Sequence, residues 1–494
     1  MKQMLLTFLL VVLVAGSSNA QWQCLYATYD DDACPSNNAT GHNTFGVGVI
    51  KQNMFVALVM TRLTDPSQAA TRRCFMIPYV NADSTTGRRY TYGYQSQTNG
   101  IYQVWTDGAF DQIQMCNAFS IVATPDSFIY VANNNNPAIS SDAEHNILVF
   151  KYANDTIKVV PPYSRTSTSL NGVYGIAVDG SKRVYISHDT TTNQAEDIKI
   201  YAPASTWGSS HVETPLRTID LPNGIYKGLT VTPDGAHIFI SSFSQRRVLK
   251  YSGSVATGYT LNGAFSFQVT DTIPGSTGSL VRPLGLAYLS PNNILAVACD
   301  SLFGGSTAYN YGRVYLVNPN TGALISPDTS LNRIDAAWWN FSVTGGYNLR
   351  SCGHGNLSGY ASLYDVKFDE AGNVYTQSNY GWTVDKWKYN GTLPTINSVE
   401  EVGGALPQEY ILKQNYPNPF NPTTTIEFSV LKSGHISLKV YDVLGKEVAT
   451  LVDEEREPGN FKVTFDASTL TSGTYFYTLR SGGFAETKKM LIVR

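Results

Sequence analysis

Short apolar runs broken by polar turns recur along most of this chain. Ser120-Ile121-Val122-Ala123-Thr124-Pro125-Asp126-Ser127-Phe128-Ile129-Tyr130-Val131-Ala132-Asn133 sets the outline. A small residue leads into an apolar run, a polar turn follows, and a second run ends in a small or polar residue. Gly175 to His188, Gly228 to Ser242 and Gly285 to Cys299 repeat it, and divergent copies begin near Gly46 and near Tyr364. Runs this short, with turn signals between them, predict paired β-strands rather than helices. A further strand is expected at Ile147 to Tyr152, Ile198 to Tyr201, Arg247 to Tyr251 and Arg313 to Val317. The central copies start roughly 55 residues apart, the spacing of units that each form one small antiparallel sheet.

The pattern lapses over 394–408, where Asn397, Ser398, Glu400, Glu401 and Gly403-Gly404 read as a linker. It resumes as runs at Thr424 to Val430, Ile436 to Tyr441, Glu447 to Val452, Phe461 to Phe465, Thr474 to Leu479 and Phe484 to Val493. So many short strands in so little chain predict a small β-sandwich. The expected fold is therefore all-β: a six-bladed β-propeller over 21–393, a linker over 394–408, and an immunoglobulin-like sandwich over 409–494. Seven blades is the alternative, because the two longest intervals have room for a degenerate unit. Trp22 to Thr28 is the expected donor of an outer strand to the last repeat.

Phrases such as Gly228-Leu229-Thr230-Val231-Thr232-Pro233-Asp234-Gly235 resemble the repeats of NHL-type propellers. The chain departs from that family where an aspartate often follows the second strand, having Asn133, His188, Ser242, Cys299 and Ser378 instead. In the C-terminal region, Asn415-Tyr416-Pro417-Asn418-Pro419-Phe420-Asn421-Pro422-Thr423-Thr424 resembles the opening signature of the type A sorting domains of the type IX secretion system. Val440 to Val448, containing Gly445, resembles its middle motif. Gly473 to Leu479 and Lys488 to Arg494 resemble its end. The resemblance implies recognition by the type IX machinery, then release or attachment at the cell surface. The prolines also have a physical reading, since each fixes φ and removes a donor, making a stiff lead-in to the first strand. Gly445 suits a turn conformation that costs other residues more.

Composition agrees with strands and tight turns: 31 Tyr, 21 Phe and 41 Gly stand against only 15% charged residues. A formal net charge of -3 with no Lys/Arg stripe argues against nucleic acid as a partner. Residues 1–20 read as a signal peptide, with Lys2, an apolar run from Leu5 to Ala15, and Ser18-Asn19-Ala20 ahead of cleavage before Gln21. No other run is long and apolar enough to span a membrane, so no transmembrane segment is expected in the mature chain. The 6 cysteines of an exported chain permit disulfides, and Cys24 with Cys34 is the first pair expected.

Chemistry is sparser. If the repeats form a ring, residues before each inner strand and after each second strand meet at one mouth. That places Tyr174, Tyr226, Lys227 and Arg282 as binding candidates and His188, Asp189 and Asp300 as catalytic ones. His354, beside Cys352, is a fourth catalytic candidate, although a disulfide is the simpler use of that cysteine. Trp338-Trp339 offers a flat surface for a sugar or protein, since adjacent strand residues face opposite ways. No G-x-S-x-G elbow and no metal-ligand spacing occur, so no cofactor is expected. Calcium at Asp30-Asp31-Asp32, Asp179 or Asp234, or another divalent metal, is the alternative, against the commoner use of turn aspartates as caps. The function expected is an exported surface or extracellular protein whose propeller binds a carbohydrate or a surface protein. The alternative is a lyase or hydrolase with its site at the channel mouth.

Overall fold

In the computed structural model the described residues are 22–27, 42–61, 73–82, 88–89, 101–106, 109–114, 118–133, 146–153, 156–160, 173–188, 197–208, 213–272, 280–300, 312–336, 347–348, 363–378, 383–396, 399–402, 406–467 and 470–493. The expected signal peptide, 1–20, lies outside them. Each repeat folds as its own antiparallel sheet, with strands in sequence order. The first sheet holds His42–Lys51, Met54–Thr61, Arg73–Val80 and Arg88–Arg89. The second holds Ala118–Ala123, Phe128–Asn133, Ile147–Ala153 and Thr156–Val159. The third is Val173–Val178, Val184–His188, Asp197–Tyr201 and Arg217–Asp220. The fourth is Tyr226–Val231, His237–Ser242, Arg247–Ser254 and Gly258–Leu261, with Phe267–Gln268 also pairing its third strand.

Arg282–Leu289, Ile294–Asp300, Arg313–Val317 and Arg333–Asp335 make the fifth. The sixth begins with Leu363–Phe368, Val374–Ser378 and Thr383–Tyr389. Trp22–Ala27 adds to its edge antiparallel to Thr383–Tyr389, and Tyr347–Asn348 lies parallel beyond it. The long interval after the first sheet carries a separate hairpin, Ile101–Thr106 with Ala109–Gln114.

These sheets correct the expectation of a closed, NHL-like six-bladed propeller. Every sheet among the described residues is open, running from one edge to another without closing on itself. The first strand of each packs against that of the next, and the sixth's packs against the first's. These joins are made by side chains and single polar links, not by a continuous ladder. Ser241 Oγ donates to Leu284 O at 2.6 Å, and Ser120 Oγ accepts from Ile176 N at 3.3 Å. Asp365 Oδ2 accepts from Val47 N at 3.2 Å. The small residue that opens several repeats now has a cause. A Cβ on Gly228 would lie 2.0 Å from Leu284 O of the next sheet, and one on Gly285 would lie 2.6 Å from the Cα of Asp365. Sheets covered on both faces also explain why second strands such as Ile294–Asp300 are buried throughout instead of alternating.

The expected disulfides are corrected as well. No disulfide occurs among the described residues, and Cys299 is a free thiol. It is fully buried among Phe239, Leu286 and Val297, where it packs as a small apolar side chain and burial pushes its thiol well up. Cys34, half of the first expected pair, lies outside the described residues, as do Cys116 and Cys352.

One buried cation gives the fourth sheet a pH dependence. Lys250 is 3% exposed, donates to Pro319 O at 2.9 Å and lies 5.5 Å from the Phe239 ring centroid. Burial pulls its ammonium down to about 8. A lysine depressed in the folded state makes that state bind fewer protons than the unfolded chain above pH 8, so stability rises with pH there. The buried Cys299 thiol, pushed well up, and buried phenols such as Tyr288, pushed up to about 12, act oppositely as the pH passes their unfolded values. The contribution of Lys250 itself should therefore grow between pH 8 and pH 10 by on the order of 2 kcal/mol. Urea unfolding at both pH values should show the native protein gaining by that amount relative to Lys250→Met.

The C-terminal region forms two further open sheets with one core between them. One runs Val399–Val402, Gly459–Asp466, Thr423–Val430 and Ile411–Leu412. The other runs Glu447–Arg456, Gly434–Tyr441, Gly473–Ser481 and Phe484–Ile492. Ile426, Phe428, Leu438, Val440, Val463 and Tyr477 meet in the buried layer. The immunoglobulin-like domain expected from the strand count is thus corrected to two small open sheets that share a buried layer. One of them recruits an edge strand, Val399–Val402, from within 394–408. Four residues, two of them acidic and followed by two glycines, carry too little periodicity to be read as a strand.

Candidate functional site

The described cargo candidates are tied into the fold. Tyr226 is fully buried and its hydroxyl donates to Pro222 O at 2.6 Å. Asp300 is also fully buried, and its carboxylate accepts from Leu363 N at 2.5 Å, linking the fifth sheet to the sixth. Arg282 pairs in register with Asp300 across the strands. Its Nη1 donates to Phe243 O at 2.7 Å, with the guanidinium 4.7 Å from the Phe243 ring centroid. Lys227 Nζ stands 3.4 Å from the centroid of Tyr174, joining the third and fourth sheets. His188 ends its strand, but its side chain is outside the described set, as are Asp189, His354, Trp338 and Trp339.

Asp179, one of the alternative calcium positions, is occupied by its own turn. Its carboxylate accepts from Arg183 N, Arg183 Nε and Tyr185 OH at 2.9, 2.5 and 2.9 Å. No group of three or more metal-binding side chains occurs among the described residues. The propeller-based function, whether carbohydrate or protein binding or lyase or hydrolase chemistry at a channel mouth, falls with the propeller itself, because no closed sheet frames such a mouth.

A buried polar network lies in the C-terminal unit, around the proline-rich signature. Asn415 is 2% exposed. Its backbone N–H donates to Tyr477 Oη at 2.8 Å, and that hydroxyl donates on to Lys413 O at 2.8 Å. Its side-chain amide donates to Pro417 O at 3.1 Å and to Thr424 Oγ1 at 2.9 Å, while Thr424 Oγ1 donates to Pro417 O at 2.7 Å. Burial holds the Tyr477 phenol up to about 12, so it stays a neutral donor over the physiological range. The Tyr416-Pro417 and Asn418-Pro419 bonds are cis.

The signature then holds the last strand. Asn418 Oδ1 accepts from Leu491 N at 2.9 Å. Phe420 N donates to Leu491 O at 3.1 Å, and Val493 N donates to Phe420 O at 3.0 Å. The Phe420 ring is buried, its centroid 6.2 Å from that of Phe465, and the Phe420 backbone forms a parallel bridge with Ile492. Asn421 and Pro422 are exposed, and Pro422 O accepts from Ala467 N at 2.9 Å. Pro419 is exposed, as is Tyr416, at 82%. Gly445 lies in the turn after Gly434–Tyr441 with φ +80°, and Gly473 opens the strand Gly473–Ser481. Thr424 ends the opening signature and Tyr477 lies in the Gly473 to Leu479 motif, but the sequence gives no sign that these two anchor Asn415. Period-two alternation through Tyr475, Tyr477 and Leu479 was the available signal that Tyr477 points inward.

Residues 414–493 match the family described as the secretion system C-terminal sorting domain. No curated protein matches the chain. Among solved structures, the chain is similar to the β-propeller domain of Cps50 (Swd1) from Myceliophteria thermophila, at 9% identity over 70% of this chain and 99% of that one, with a TM-score of 0.36. It is also similar to a protein of unknown function from Bacteroides thetaiotaomicron, at 12% identity over 75% and 76%, with a TM-score of 0.40. A protein from Lactobacillus plantarum gives 10% identity over 86% and 88%, with a TM-score of 0.34. Likenesses at such scores carry no weight for fold or activity. The sorting-domain match does carry weight: the protein is exported through the type IX pathway to the cell surface or the extracellular space, and it meets the translocon through this domain. No helix among the described residues is long and apolar enough to cross a membrane.

Proposed function

We propose that residues 409–494, joined at their edge by Val399–Val402, are the address by which the export machinery takes up the chain, and that 21–393 is its passenger. Residues 1–20 serve as the signal peptide that first brings the chain to the periplasm. The observation that supports this most is the hold of the signature on the last strand. Asn418 and Phe420 make three main-chain contacts to Leu491 and Val493, so opening signature and C-terminal ending form one surface although some 70 residues separate them. Such a surface exists only when the unit is folded, which lets the machinery tell a completed chain from a fragment.

The test is sufficiency. Residues 397–494 appended to a periplasmic reporter with its own signal peptide should carry the reporter outside a cell with a working type IX system. The reporter should stay inside a strain lacking the translocon. A fusion that stays periplasmic in the competent strain, while remaining intact, contradicts the proposal.

A further inference from the structure

A cavity of about 430 Å³ lies at the end of the sheets opposite Tyr226 and Asp300, where Trp22–Ala27 closes on the sixth sheet. Its walls come from the turns that join the first two strands of the first, fifth and sixth sheets, through Gln52, Asn292 and Gly372, and from the end of Thr383–Tyr389. No closed ring is needed to frame it.

The charge of this cavity is one-sided. Lys386 and Lys388 line it, and none of its described lining residues is acidic. Strand alternation turns both lysines to the face on which Val384 packs with Phe55 and Tyr375. Lys386 is 1% exposed, and its Nζ donates to Asn53 Oδ1 and lies 5.8 Å from the Tyr375 ring centroid. Lys388 is exposed at the rim. The nearby carboxylate of Asp369 is taken up by its own turn, accepting from Asn373 N and Nδ2 at 2.9 and 2.8 Å and from Tyr375 OH at 3.1 Å. A buried ammonium beside such a cavity is poorly screened, so its field reaches a bound group.

The walls are also held in place. Asn292 Nδ2 donates to Leu393 O and Pro394 O at 3.3 Å each, which fixes the chain after Tyr389 as one side. Gly372, at φ +79°, lets Leu393 close in, since a Cβ there would lie 2.9 Å from Leu393 Cδ1. On the other side the pairing of Trp22–Ala27 slips between Cys24 and Tyr26, and the extra residue, Leu25, lines the cavity.

From this arrangement we infer that the cavity binds a small organic anion through its carboxylate or phosphate group. Lys388 donates to the anionic oxygens and Lys386 supplies a fixed positive charge behind them. Gln52 and Asn292 offer amides to polar groups on the ligand body, which rests on Leu25 and Leu393. The inference stands apart from the export address, because every residue it uses belongs to the cargo.

Citrate and glycerol 3-phosphate are the probes, with glycerol as the uncharged control, titrated calorimetrically into the chain without residues 1–20 at constant ionic strength. At least one anion should bind at a single site and glycerol should not, and the anion that binds tells carboxylate from phosphate. Lys388→Gln should weaken binding by about tenfold, the effect of losing one charge-assisted bond. Lys388→Arg should bind as the native chain does, and so should Lys432→Gln, which removes an exposed lysine of the C-terminal unit. If Lys388→Gln melts early, Gln52→Glu decides, because a carboxylate at that exposed position of the rim should abolish binding. Failure of both anions to bind overturns the site. Binding of glycerol as tightly as the anions, or native affinity in Lys388→Gln or in Gln52→Glu, overturns it too.

Discussion

Replacing Asn415 by leucine is expected to free the last strand of the C-terminal unit and to cut export. The substitution keeps the size of a 2% exposed side chain but removes its two donor bonds, to Pro417 O and Thr424 Oγ1. A buried network that loses its central donor gives up two bonds and keeps only the one from Thr424 Oγ1 to Pro417 O, at a cost of about 2 kcal/mol. Because Asn415 fixes the segment that carries Asn418 and Phe420, the loss should pass to their bonds with Leu491 and Val493. Amide exchange at Leu491 and Val493 should quicken in the variant while that in Gly434–Tyr441 changes less. Cell fractionation should show less protein outside. Unchanged exchange at the last strand would mean that the signature does not hold it.

Gly228→Ala is expected to damage the cargo as strongly. The added Cβ would sit 2.0 Å from Leu284 O and 2.9 Å from the Cα of Gly285, both backbone atoms of the neighbouring sheet, so no side chain can swing aside. The two sheets must separate, and Ser241 Oγ, which accepts from Gly228 N and donates to Leu284 O at 2.6 Å each, loses its place between them. Overpacking of this kind costs about 3 kcal/mol, against roughly 0.5 kcal/mol or less for an open surface position. Gly263, whose Cβ would meet nothing within 4 Å, is the control. Thermal melts should show a drop of several degrees for Gly228→Ala and almost none for Gly263→Ala.

The strands themselves were legible in the sequence because their runs are local. The repeat from Gly228 to Ser242 is found as the paired strands Tyr226–Val231 and His237–Ser242. What pattern could not give was the way sheets meet, since closure depends on contacts between residues far apart in the chain. Trp22–Ala27 pairs with Thr383–Tyr389, the outer-strand role expected for Trp22 to Thr28, but nothing local to Val47 records that Asp365 will bond its N–H. The cargo candidates show the same limit. Polar residues at strand ends such as Asp300, Tyr226 and Arg282 resemble a site, yet each is bonded to backbone: Asp300 to Leu363 of the next sheet, Tyr226 to Pro222 just ahead of its own strand, and Arg282 to Phe243 at the end of a strand of the preceding sheet. The signature was legible for a different reason. Its prolines and asparagines are unusual enough to be seen without knowing their partners, whereas Tyr477 and Thr424 look like ordinary strand residues until the bonds are visible.

The central claim is that the C-terminal unit carries the address, and the most direct measurement is where the protein goes without it. A cut after Ile396 is the clean one, because Ile396 still belongs to the cargo. Its N–H donates to Asn292 O at 2.8 Å, and its carbonyl accepts from Asn293 Nδ2 at 2.7 Å. Fractionation of type IX-competent cells should find the full chain at the surface or in the medium and the chain ending at Ile396 folded in the periplasm. The shortened chain appearing outside in native amounts would contradict the account.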